Sequence, residues 1–179
     1  IVRDPRDVVI SWSKFSNISI DESINFISDY NSCIRWANKG KHSKVPKNTF
    51  PKAFVSSWDN HVESWTNNSL KTPKIIIKYE DLIYKKEEVI HEIKNFFQKN
   101  FKIKIQNFDR KLKNILTTTS FEYMQKMEKA LGFVEANPGS RFFQQGNKNQ
   151  WEKMLTKSQI LKIENKFRNH MIKFKYKFS

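Results

Sequence analysis

The opening stretch Ile1-Val2-Arg3-Asp4-Pro5-Arg6-Asp7-Val8-Val9-Ile10-Ser11 constrains the fold more than any other part of the chain. It reads as the end of a buried strand turning straight into a helix. Asp4 suits the cap, Pro5 the first turn, and Asp7, three residues after the cap, the positive end of the helix dipole. Val8, Trp12 and Phe15 recur at helical spacing and predict an apolar stripe. That leaves Arg3 where the strand ends and Ser11 in the second turn. A guanidinium, a hydroxyl eight residues later and a helix start between them can hold a phosphate. A capped helix with a solvated arginine fits these residues equally well.

The downstream chain predicts mostly helices. Ser19 or Asp21 can cap a second helix, with Ile24, Ile27, Tyr30 and Ile34 at helical spacing and Cys33 beside them. Residues 38–51, with Lys39, Lys41, Lys44, Lys47, Gly40, Pro46 and Pro51, have the composition of an exposed loop. From Lys52 to about Asn67 a third helix is expected, with Phe54, Trp58, Val62 and Trp65 on its core side. Thr72-Pro73 breaks the chain, and Ile75-Ile76-Ile77 reads as a short buried parallel strand. Tyr79 then sits at a strand's carboxyl end, where α/β sheets bind ligands.

Three further helices are expected: one over residues 85–99, one from Asn107 through Leu116, and one opened by the capping-box spacing Thr119-Ser120-Phe121-Glu122. Residues 136–150 form a long polar connection anchored by Phe142 and Phe143. A second capping box, Thr156-Lys157-Ser158-Gln159, opens a last helix that buries Ile160, Ile163, Phe167 and Met171. The class is therefore α/β, a parallel sheet flanked by helices in one helix-rich domain over residues 1–179.

Composition narrows the function. At 179 residues, with 38% apolar and 28% charged residues, the chain suffices for one domain. A mean hydropathy of −0.70 is polar, but fifteen Phe, five Trp and five Tyr argue against disorder. No apolar run approaches a membrane span, and the start does not resemble a signal peptide. The single Cys33 has neither a disulfide partner nor metal-ligand spacing, so cytoplasm is expected and a metal is not. A net charge of +15 favours polyanions: nucleic acid, an anionic membrane or a multiply phosphorylated small molecule. Because the chain opens at the last turn of a strand, further sequence upstream is expected.

Taken together, several separated motifs carry a resemblance. Arg3 with Ser11, Trp58-x-x-His61-Val62-x-x-Trp65, Tyr79-Glu80-Asp81-Leu82, Thr119-Ser120-Phe121, and Phe142-x-x-x-Gly146-x-x-x-x-Trp151 with Thr156 are similar, in order and interval, to the cytosolic-type sulfotransferases. The resemblance implies a P-loop-like α/β fold that moves a sulfuryl group from 3'-phosphoadenosine 5'-phosphosulfate (PAPS) to a hydroxyl or amine of a small-molecule acceptor. It implies that Arg3 and Ser11 hold the 3'-phosphate and that Tyr79 lies beside the adenine. Thr119, Ser120 and Phe121 would line the nucleotide, and Gln144, Gln145 and Gly146 would form the lid over the 3'-phosphate.

Departures are equally definite. The family's lid reads Arg-Lys-Gly, and two neutral amides here forgo charge assistance of roughly 1 kcal/mol or more per contact. Arg141 or Lys148 is the expected substitute. The family's next glycine is Asn149 here, its usual acid is Gln150, and only Thr156 survives of the dimer motif, so dimerisation is not carried over and the oligomeric state is left open. The family's phosphosulfate loop and general-base histidine precede the Arg3 motif. Since His42, His61, His91 and His170 all follow it, surface or packing roles are expected for them and no catalytic residue is assigned. A basic nucleic-acid-binding module, and another P-loop enzyme such as a kinase, are the alternatives.

Overall fold

The computed structural model describes residues 1–35, 52–67, 71–132, 142–143 and 149–179. The expected loop at 38–51, most of the 136–150 connection, His42, Arg141, Lys148 and the lid residues Gln144, Gln145 and Gly146 lie outside them. In chain order the elements are α1 Pro5–Ser16, α2 Ile20–Ser28, β1 Cys33–Arg35, β2 Lys52–Phe54, α3 Trp58–Thr66 and α4 Tyr79–Tyr84. There follow α5 Lys86–Phe101, α6 Phe108–Thr118, α7 Phe121–Leu131, α8 Trp151–Met154 and α9 Lys157–Lys173.

Local chemistry sets several boundaries as expected. Asp4 accepts from Arg6 N–H at the start of α1. Ser19, not Asp21, caps α2, and it exchanges bonds with Glu22 in a capping box. Thr156 and Gln159 do the same for α9. Each cap satisfies amides that the helix leaves without carbonyls.

Four expectations need correction. The second helix stops at Ser28, and Cys33–Arg35 pairs instead with Lys52–Phe54 as a two-stranded antiparallel ribbon. The third helix therefore starts at Trp58, and Phe54 and Trp65 are 67% and 70% exposed, so only Trp58 and Val62 of that row are core. The buried side of α1 is Val9, Ile10 and Ser13, with Val8, Trp12 and Phe15 half-buried beside it. In the α7 cap, Ser120 accepts from Tyr123 N–H, whereas Thr119 ends α6, its Oγ1 donating to Ile115 O.

The expected parallel sheet is represented among the described residues by one bridge, Val2 with Lys78. Val2 N–H donates to Ile77 O and Tyr79 N–H to Val2 O, both at 2.8 Å. Ile76 remains exposed and Ile75 and Ile77 half-buried.

The core lies where α1, α2, α3, α8 and α9 meet, with Val9, Ile24, Ile163, Phe167 and Met171 inside it. Ser23 Oγ donates to Val9 O, tying α2 to α1 through a buried hydroxyl. Trp58 packs edge-on against Phe167. By contrast α5, α6 and α7 form an arm with little buried: Val89 and Ile90 on α5, Leu112 on α6, and none on α7.

One charge cluster fastens the core. Arg6 is 1% exposed. Its guanidinium makes two bonds to Asp4, one to Glu164 and one to the Lys177 carbonyl, and it lies 3.7 Å from the Trp151 ring centre. Removing one partner of a buried ion pair leaves an uncompensated charge, at about 3–5 kcal/mol, whereas an exposed pair contributes about 0.2–1 kcal/mol. Urea unfolding of Arg6→Met should therefore show a loss of about 3–5 kcal/mol. Lys173→Met, which breaks the exposed pair with Glu63, should lose under about 1 kcal/mol. Equal losses would contradict this division.

Candidate functional site

The site grows from the Val2 bridge. Pairing Val2 with Lys78 sets the next residues of both strands, Arg3 and Tyr79, side by side. The Arg3 guanidinium lies 4.3 Å from the Tyr79 ring centre, and Arg3 Nη1 donates to Ser11 Oγ at 2.8 Å. Arg3 Nε is buried and has no hydrogen-bond partner among the described residues. A buried donor left unpaired costs about 1–3 kcal/mol. An incoming anion would relieve that cost while gaining a charge-assisted bond.

The helix start contributes less than its sequence suggested. Asp4 N–H donates to Glu80 Oε1, and Arg6 N–H donates to Asp4 itself. These amides are therefore satisfied by carboxylates, whose negative charge opposes an anion there. What remains for a phosphate is the side-chain pair Arg3 and Ser11.

Neighbouring groups shape the potential. Tyr176 Oη donates to Glu80 Oε2 at 3.5 Å, and burial, followed by the Glu80 and Asp4 charges, pushes its hydroxyl far above the ordinary tyrosine range. Burial likewise pushes the Asp7 carboxyl up, against the pull of the Arg3 cation and two backbone amides.

Those amides belong to Asn149 and Trp151, which donate to Asp7 Oδ2 at 2.8 Å and Oδ1 at 3.2 Å. One carboxylate thus fastens the return of the polar connection to α1. The connection is held on its other side by Glu128 of α7, which accepts from Phe142 and Phe143 N–H at 2.6 and 3.1 Å. Gln125 Nε2 donates to Phe143 O. Sequence reading missed Glu128 and took Asp7 for a helix-dipole residue. An acceptor serving distant backbone amides leaves no side-chain signature at the other end.

The expected ligand residues do not all converge. Arg3, Ser11 and Tyr79 are in contact. Among the described residues, Thr119, Ser120 and Phe121 make no hydrogen bond or ring contact with those three. The Thr119 carbonyl accepts from Lys86 Nζ, and the Ser120 hydroxyl is occupied as a cap. Phe121 reaches α1 through rings, packing edge-on with Phe143, which packs on Phe142, which packs on Phe15.

No histidine lies at this site among the described residues. His61 Nδ1 is 3.2 Å from Val55 O, His91 packs against Phe108, and His170 sits between Trp58 and Glu63. No group of side chains suited to a metal occurs among the described residues.

Against known proteins, the chain matches the family profile described as Sulfotransferase domain over residues 1–175. Its fold is similar to that of the mouse sulfotransferase SULT7A1 complexed with PAP, at 18% identity and a TM-score of 0.61. That alignment covers 95% of this chain and 56% of the mouse chain. This chain therefore spans little more than half the length of that structure. No curated protein matches it.

Asp7 generates a test. In Asp7→Ala the Trp151 amide loses its acceptor inside the core, and stability should fall by about 1–3 kcal/mol. Hydrogen exchange should quicken at the Asn149 and Trp151 amides and stay slow at Ile163 and Phe167. Because its folded pKa is raised, the unfolded chain gives up the Asp7 proton first. The Asp7 titration thus adds stability that is complete below the ordinary aspartate range and is lost as pH rises through the folded pKa. Asp7→Asn should remove that part of the slope in urea unfolding from the ordinary aspartate range upward. An unchanged slope would show that the carboxyl is not perturbed.

Proposed function

We propose that this chain, which belongs to the sulfotransferase domain family, forms the 3'-phosphate and adenine side of a PAPS site. From that donor a sulfuryl group passes to a hydroxyl or amine of a small-molecule acceptor. The observation that carries the reading is the Arg3 guanidinium, held between the Ser11 hydroxyl and the Tyr79 ring with a buried Nε still unpaired. A phosphate oxygen there would accept from Nε, and Ser11 Oγ would donate to a second oxygen. Tyr79 already stacks on the guanidinium and offers an edge and a hydroxyl to the adenosine. The mouse relative was crystallised with PAP, the nucleotide that remains after sulfuryl transfer, which supports the same ligand class.

In the reaction an acceptor oxygen or nitrogen attacks sulfur, the bond from sulfur to the bridging phosphate oxygen breaks, and adenosine 3',5'-bisphosphate leaves. The acceptor's proton goes to a base. Arg3 and Ser11 act at the far end of the leaving nucleotide: they fix its position, so that the breaking bond is aligned with the incoming atom. The reading assigns the base and the 5'-phosphosulfate cradle to sequence other than these 179 residues. Two facts support that assignment: the described histidines are engaged elsewhere, and the chain spans only part of the mouse sulfotransferase.

Within this reading Thr119, Ser120 and Phe121 line the nucleotide by backbone and ring surface, since the two hydroxyls serve helix ends. Gln144, Gln145 and Gly146 cover the 3'-phosphate with neutral donors. The free thiol of Cys33 suits the reducing cytoplasm.

Calorimetry decides the matter. Arg3→Ala should weaken adenosine 3',5'-bisphosphate by about 1.5–3 kcal/mol, the range for a hydrogen bond to a charged group. Adenosine 5'-monophosphate, lacking the 3'-phosphate, should bind both proteins alike. Equal bisphosphate affinity in wild type and variant would remove Arg3 from the site.

A further inference from the structure

We infer that Lys14 is a third ligand of the phosphate held by Arg3 and Ser11, an inference that rests on the reading of that site given above. Ser11 and Lys14 stand three residues apart on α1, so their side chains are neighbours on one face, about 5–6 Å apart at Cβ. Helical side chains lean toward the N-terminus, so a lysine stem at this position has the reach to turn from Gln150 back over Ser11, on the side of the helix start where Arg3 stands.

The ammonium is available. Its hydrogen-bond partner among the described residues is Gln150 Oε1 at 3.5 Å, a neutral acceptor at the limit of bonding distance. A phosphate oxygen is a stronger partner for an ammonium than an amide oxygen at that separation. The lysine is also positioned from outside α1. Asp7 binds the amides on either side of Gln150, those of Asn149 and Trp151, and this sets the Gln150 side chain against the last turn of the helix.

Charge balance favours the same assignment. A phosphate monoester carries about −1.5 to −2 at neutral pH. Arg3 offers a single positive charge, and that charge already acts on the Asp7 carboxyl. One cation beside a dianion and a neighbouring carboxylate leaves the site negative, and Lys14 supplies the second. The neutral Gln144 and Gln145 cannot do so, and Arg141 and Lys148, the substitutes expected from the sequence, lie outside the described residues. Lysine suits the place because a compact ammonium on a flexible stem can follow a phosphate without a fixed fork geometry.

The test compares Lys14→Met, Lys14→Gln and Lys14→Arg with wild type by calorimetry at two salt concentrations. The probes are adenosine 3',5'-bisphosphate and adenosine 5'-monophosphate. The Met and Gln variants should weaken the bisphosphate by about tenfold, as for one charge-assisted contact, and flatten its salt dependence. Lys14→Arg should retain affinity, and the monophosphate should bind every variant like wild type. Wild-type affinity for the bisphosphate in both neutral variants, with Arg3→Ala still impaired, would overturn the role of Lys14 and leave the site standing. If Arg3→Ala is also silent, the site itself is wrong. An equal loss with both probes would place Lys14 elsewhere on the nucleotide and overturn the inference. Gln keeps most of the stem and the helix propensity, so agreement between Gln and Met separates lost charge from lost folding.

Discussion

The buried guanidinium of Arg6 is the constraint on which the other arrangements depend. Burial by itself would lower its pKa, but bonds and charges from Asp4 and Glu164 more than offset this and hold it above the ordinary value. The cluster joins parts that are far apart in sequence. Asp4 opens α1, Glu164 lies in α9, Lys177 is in the terminal tail, and Trp151 begins α8. Ser179 N–H adds a bond to Glu164 Oε1. Desolvated charges tolerate little displacement, because the attraction that compensates for lost hydration depends on close geometry. The network therefore works as a locating pin. Next to the fixed Asp4, Val2 and Arg3 leave the helix along Lys78 and Tyr79.

Arg3 and Arg6 differ in what surrounds their charges. They are three residues apart, on either side of the same helix start. Arg6 has two carboxylates, a carbonyl and an indole face, and its charge is spent inside the protein. Arg3 has a hydroxyl, an aromatic face and, among the described residues, no carboxylate bonded to it. Asp7 is near enough to influence it but bonds the amides of Asn149 and Trp151 instead. Opposite charge is present at the site, therefore, but directed elsewhere. That leaves the Arg3 guanidinium with a buried Nε unpaired among the described residues, the feature on which the proposed anion site rests.

What could be read from the sequence follows from the range of the forces involved. Capping acts over three or four residues, so Asp4, Ser19 and Thr156 were legible, as was the α9 stripe through Ile160, Ile163, Phe167 and Met171. The arginine–serine–tyrosine group was legible because strand ends and helix starts place residues at fixed intervals. Depth was not. Periodicity says that Phe54, Trp58, Val62 and Trp65 share a pattern, but which of them is covered depends on what packs there, and α9 covers only Trp58 and Val62. The β1–β2 ribbon joins segments separated by residues 36–51 and pairs three residues from each, too few to leave a period. Arg6 drew no notice because its partners Glu164 and Lys177 lie about 160 and 170 positions away.

The uneven burial of the fold bears on how the proposed site works. The Arg3 end is fastened to the core, whereas α5, α6 and α7 bury few side chains and reach α1 through Glu128, Phe142 and the chain of phenyl rings. Regions with few buried apolar contacts open at lower free energy than the core. A ligand that contacts only the native arrangement stabilises it by mass action, wherever its contacts fall. A nucleotide lying between Tyr79 and Phe121 would join the pinned end to this weaker arm. Its binding energy would be spent partly on holding the arm in place, so affinity would depend on arm residues such as Glu128 that never touch the nucleotide. Positioning of the 3'-phosphate would in contrast be set beforehand, by the rigid strand-to-helix turn and the buried charges beneath it.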